Sequence, residues 1–105
     1  MWAYTVQALK NEPNIIGYEI INEPFGSSLY RKPYQVPWDN NLYLLPFYRK
    51  INNIIRQYDN DTLVFFEPSL TDYIFGTGFK SNVGGKDYRN REVYSYHIYC
   101  PLVNK

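Results

Sequence analysis

The chain has 105 residues, 45% of them hydrophobic and 20% charged, with a formal net charge of +1. That is ordinary globular composition, enough for at most one small domain, and it carries no charge run or basic stripe of the kind a nucleic-acid partner needs. No apolar run approaches membrane-spanning length, no signal peptide is read at the start, and Cys100, the only cysteine, excludes an internal disulfide.

Residues 2 to 10, "WAYTVQALK", read as the end of a helix stopped near "NEPN" by Pro13, because the residue before a proline disfavours helix. A first strand is expected over residues 15 to 22, in the run "GYEIINEPFG". Residues 24 to 41 carry Pro24, Pro33, Pro37 and Gly26 and read as a loop. From Leu44 the apolar positions fall at Phe47, Tyr48, Ile51, Ile54, Ile55 and Tyr58, one face of a helix that Pro46 allows only from about Leu45, or with a kink. "TLVFFE", residues 62 to 67, and "EVYSYHIY", residues 92 to 99, are further strands. Between them lie a short helix around Leu70 to Phe75 and a Gly-rich charged loop, long enough to imply a task.

Strands of near-continuous apolar character separated by helix predict an α/β fold with a parallel sheet. Each strand ends in polar or ionisable side chains just before a proline: "NEP", "FEP", "HIYCP". In (β/α)₈ barrels different strands contribute such groups to one pocket at their C-terminal ends. Glu23 is therefore expected in a pocket, although a lone Glu there more often caps a turn. On the third strand Val93, Ser95, His97 and Tyr99 share one face and Tyr94, Tyr96 and Ile98 the other. Strict alternation separates Asn22 from Glu23, so both reach a pocket only if the strand end twists or bulges. The twelve Tyr fit a wet, partly apolar sugar groove, although plain core is the commoner role for any one of them. One His and one Cys without metal-ligand spacing give no reason to expect a metal or other cofactor.

"GYEIINEP" resembles the acid/base motif of glycoside hydrolase family 5, and "LLPFYRKINNIIRQYD", "TLVFFEP", "GG" and "SYHIYC" extend the resemblance, towards the endoglycoceramidase branch, over nearly the whole chain. The resemblance implies a partial (β/α)₈ barrel spanning roughly the fourth to sixth strands. It makes Glu23 the general acid/base, puts Asn22 on the substrate 2-hydroxyl, and lines the site with His97 and Tyr99. Glu67 is a tempting second carboxylate, since neighbouring strands lie about 4.8 Å apart, but the resemblance places it at the pocket rim and the nucleophile beyond Lys105. Residues 1–105 are thus expected to be a piece of one catalytic barrel, inactive alone. The implied substrate is a glycolipid or oligosaccharide, with peripheral contact with membrane or lipid micelles and a secreted, extracellular or lysosomal setting that the "NDT" sequon at Asn60 also fits. A glucanase, a β-glucosidase and a non-catalytic remnant are the alternatives. Phe25, Leu29, Tyr30, Tyr34, Val36 and Trp38, with Leu70, Tyr73, Ile74, Phe75 and Phe79, are candidates for lipid-facing surface.

Overall fold

A computed structural model describes residues 1–25 and 37–97. Helix α1 (Trp2–Leu9) leads to strand β1 (Gly17–Glu19), and a π turn (Asn40–Leu44) runs into helix α2 (Leu45–Arg56). Strand β2 (Leu63–Phe66), the short helix α3 (Asp72–Phe75) and strand β3 (Glu92–Tyr94) follow. The strands form one parallel sheet in the order β1-β2-β3, as the apolar runs predict. The ladders are shorter than those runs because the chain begins to turn out of the sheet soon after Glu19 and Tyr94. Ile20 N–H to Phe65 O and Ser95 N–H to Phe66 O extend the pairing by one residue each.

The register places Tyr18 beside Val64 and Glu19 beside Phe65, so the sheet has two chemically distinct faces. Tyr18, Ile20, Val64 and Phe66 are buried in a core with Val6 of α1 and Leu45, Tyr48 and Ile55 of α2. Each such side chain contributes about 1.5–3 kcal/mol on full burial. Tyr48 and Phe66 pack on Phe79, with ring centroids 6.0 and 5.4 Å away, and Phe79 meets Tyr94 at 6.0 Å. Phe79 is therefore partly buried against the core. The other face carries Gly17, Glu19, Phe65, Val93 and Ser95. Here the Phe65 ring lies over Gly17: a Cβ at residue 17 would stand 2.3 Å from its Cε2 and 2.8 Å from the Leu63 carbonyl. Only glycine admits that approach within the strand.

Two details of α2 depart from the sequence pattern. The helical run begins earlier, because the Leu45 N–H reaches back to the Asn40 carbonyl in a wide π turn. Pro46, which has no N–H to give and would crowd an α-helical carbonyl before it, is accommodated at the first turn beyond. The buried face is also rotated from the apolar stripe: it centres on Leu45, Tyr48, Asn52 and Ile55, and leaves Phe47 at its exposed margin.

At the N-terminal ends of β2 and β3, buried Arg56 donates to the carbonyls of Asp59, Thr62 and Arg91 and stacks its guanidinium 4.7 Å from the Tyr88 ring centre. Asp59 accepts from the N–H groups of Asp61 and Thr62 and from the Tyr18 hydroxyl at 3.0 Å each. Burial raises its carboxyl pKa, but the bonds from Thr62, Asp61 and Tyr18 outweigh that and hold it below the usual value.

Candidate active site

The opposite end of the sheet gathers the ionisable groups. After β1 the chain turns at Glu23, whose φ of 44° lies in the left-handed region. For a residue with a side chain that costs about 1–3 kcal/mol, and it is sustained only where the surroundings fix it. Here the fixing group is Glu67, just past β2: its Oε2 accepts the Glu23 backbone N–H at 2.8 Å. The two strand ends are tied further by the Leu70 N–H to the Pro24 carbonyl (2.9 Å), and Ser69 is secured by its N–H to Asn40 Oδ1 (2.6 Å). The Tyr48 hydroxyl donates to the Glu67 carbonyl at 2.8 Å, fixing that residue from α2, and burial pushes the Tyr48 pKa upward.

His97 completes the cluster. Its Nδ1 lies 2.7 Å from Glu23 Oε1 and its Nε2 3.3 Å from Glu67 Oε1, so one imidazole spans the two carboxyl groups. The Glu23 side chain is about one-third exposed and His97 slightly more, whereas Glu67 is almost wholly enclosed. Glu67 is thus deeper than the expected rim position, because the turn at Glu23 folds over it. Burial raises the Glu67 pKa, and a hydrogen bond with the Glu19 carboxyl adds to the rise. Two neighbouring carboxyls cannot both ionise cheaply in such a place. Ser95 Oγ donates to Glu19 Oε1 at 3.2 Å, so Glu19 belongs to the same network.

The sequence motif thus brings Glu23 and His97 into contact, while Asn22 lies exposed beside them. Tyr99 lies outside the described residues, as do Leu29, Tyr30, Tyr34 and Val36. Sequence reading missed Glu19. The available signal was a carboxylate inside an otherwise apolar strand, on the face shared with Ser95. Of two open clefts, one of about 420 Å³ lies around Phe66, Phe79 and Tyr94, and one of about 360 Å³ runs from Asn14–Gly17 to Glu19 and Phe65; Glu23, Glu67 and His97 line neither. Among the described residues there is no cluster of His, Cys, Asp or Glu arranged to hold a metal.

The hydrogen bond to Glu23 raises the His97 pKa above its ordinary 6.5, with the Glu67 charge adding to it. The imidazolium form is therefore favoured by folding. Its stabilising effect is complete below pH 6.5 and is lost as pH rises through the folded-state pKa. In an NMR titration, the His97 ring signal, identified by its loss in His97→Gln, is expected to show a midpoint above 6.5 that falls back in Glu23→Gln. An unchanged midpoint in that variant would deny Glu23 its leading part.

A carboxyl group at the mouth of a parallel strand, oriented by a histidine from the second strand along and by a buried carboxyl between them, is equipped to hand over and take back a proton. Residues 1–105 match the family model for cellulase, glycosyl hydrolase family 5. The chain belongs to glycoside hydrolase family 5. The three parallel strands are accordingly an arc of a (β/α)₈ barrel, with the Gly17, Glu19 and Phe65 face turned to its interior. An endoglycoceramidase of Hydra vulgaris is 42% identical over 102 residues, which is 95% of this chain and 20% of the relative. An endoglycoceramidase of Cyanea nozakii is 43% identical over the same number of residues and the same shares. The chain spans about a fifth of the length of these curated relatives. No solved structure matches it.

Proposed function

We propose that this chain is the acid/base arc of a retaining glycoside hydrolase that releases the glycan from ceramide in glycosphingolipids. The contact between Glu23 and His97 at the end of the strand arc carries the catalytic part of this reading. Glu23 donates its proton to the glycosidic oxygen as the bond to the anomeric carbon breaks, while a second carboxylate attacks that carbon. Glu23 then takes a proton from the water that hydrolyses the glycosyl-enzyme. Asn22 is assigned to the substrate 2-hydroxyl, and Tyr99 to the site wall with His97. Glu67 does not suit the nucleophile's role: it is enclosed, and its oxygens face the Glu23 N–H and His97. The nucleophile is therefore assigned to a strand outside this sequence, and residues 1–105 to one part of a larger catalytic barrel.

The lipid half of the reading rests on the two endoglycoceramidase relatives and on apolar side chains near the strand ends. Phe25, Trp38 and Phe75 are each about half exposed and Ile74 more so. A ceramide slot has much to gain from such surface, at about 0.8 kcal/mol per buried CH₂. Contact with membranes or lipid micelles and a secreted or lysosomal setting belong to the same proposal.

The test uses the longest natural product that contains this sequence. Incubated with a glycosphingolipid in detergent, it is expected to release intact oligosaccharide and ceramide and to cut cello-oligosaccharides far more slowly. Preference for cello-oligosaccharides with no ceramide released would leave Glu23 as the acid and remove the lipid substrate. No hydrolysis of either would make the chain a non-catalytic remnant.

A further inference from the structure

Glu67 is more than the residue that happens to follow β2. It is among the most enclosed carboxyls of the described residues, and each of its oxygens faces a group that governs Glu23. Oε2 holds the backbone N–H of Glu23, the residue with the left-handed φ. Oε1 faces His97 Nε2, and the other nitrogen of that ring touches the Glu23 carboxyl. One side chain thus controls both where the Glu23 backbone turns and which way the His97 ring presents its nitrogens.

We propose that Glu67 is the positioning residue of the acid/base: it fixes the strained turn that aims Glu23, and it stands 3.3 Å from His97 Nε2 while Nδ1 of the same ring meets the Glu23 carboxyl. This rests on the reading of Glu23 as the proton donor. The groups facing Glu67 are Glu19 from β1, Glu23 from the turn beyond it, His97 beyond β3 and the Tyr48 hydroxyl from α2. Glu19 accepts a hydrogen bond from the Ser95 hydroxyl at 3.2 Å.

The discriminating variant is Glu67→Gln, which keeps the shape of the side chain but puts an amide donor in place of one carboxyl oxygen and removes the charge. The readout is the ratio of kcat/KM on a natural glycoside to that on an aryl glycoside whose leaving group needs no protonation. This ratio does not depend on how much enzyme is folded. In the longest natural product carrying the sequence, the ratio is expected to fall by about 10²-fold, the scale of a small misplacement of a reacting group. Added to Glu23→Gln, Glu67→Gln should lower the natural-substrate rate little further, because the two act as one unit. The His97 ring ¹⁵N shifts are expected to change in Glu67→Gln. An unchanged ratio, or losses that multiply in the double variant, would overturn the positioning role and leave Glu23 as the acid. Equal loss on both substrates in Glu23→Gln alone would instead overturn the acid assignment, and this inference with it.

Discussion

Glu23→Gln is expected to lower kcat/KM on a natural glycoside by about 10²–10⁴-fold while largely sparing an aryl glycoside with a good leaving group. The asymmetry follows from chemistry. An alkoxide leaving group needs a proton as the glycosidic bond breaks, whereas a nitrophenolate departs without one. Because kcat/KM reports the first step, the comparison isolates the acid role. The base role appears separately, as slow breakdown of the glycosyl-enzyme that a small anionic nucleophile such as azide, which needs no deprotonation, should relieve. Gln is close to isosteric and can still meet His97, so the backbone turn and the bond from its N–H to Glu67 are retained. A uniform loss on both substrates would point to a nucleophile or to a folding defect.

The largest effect on stability is expected at the other end of the sheet. Arg56→Ala removes a buried cation that serves three carbonyls, those of Asp59, Thr62 and Arg91, and withdraws the group stacked on Tyr88. Bonds to a charged donor are worth about 1.5–3 kcal/mol each, but they are not additive, and some of the carbonyls will regain water, so a loss of about 3 kcal/mol is expected. Burial also lowers the Arg56 pKa, a measure of how much solvation the side chain gives up to reach this position. Arg56→Lys should recover little, because a single ammonium cannot reproduce a planar fork. Urea unfolding at constant m-value measures the change. A midpoint within error of wild type would show that the strand entrances hold without the clamp.

Glu23 and Arg56 divide the sheet into a reactive end and a structural end, and the two ends were unequally legible in the sequence. Parallel strands, the helix between them and the polar strand ends follow from apolar runs and from the 3.6-residue repeat of Tyr48, Ile51 and Ile55. Glu23 and His97 could be found because three successive apolar strands close in polar or ionisable groups and because the motif resembles a known family. Glu67 carries the same signature, but its depth depends on the chain crossing over it at Glu23, and a backbone φ leaves no trace in composition. Glu19 was hidden by its position inside a strand, where one-sided exposure is visible only once the faces are assigned. The rotated face of α2 was equally hidden: Asn52 occupies a core position that a hydrophobic pattern passes over, with the side chain nearly inaccessible.

The π turn before α2 has a consequence for length variation. A wide turn of this kind is equivalent to one residue inserted into an α-helix. A natural relative or an engineered variant lacking one residue between Leu42 and Leu44 could therefore keep α2 intact, by closing to an ordinary helical turn. The residues upstream would then rotate by about 100°, one helical step. Asn40 and Asn41 lie upstream. Asn40 Oδ1 holds the Ser69 N–H, while Asn41 accepts the Lys80 N–H and donates to the Gly78 carbonyl. A single-residue deletion there would leave the core packed but unfasten the loop beyond β2 at two points, turning a change in chain length into a change in how the segment after Glu67 is anchored.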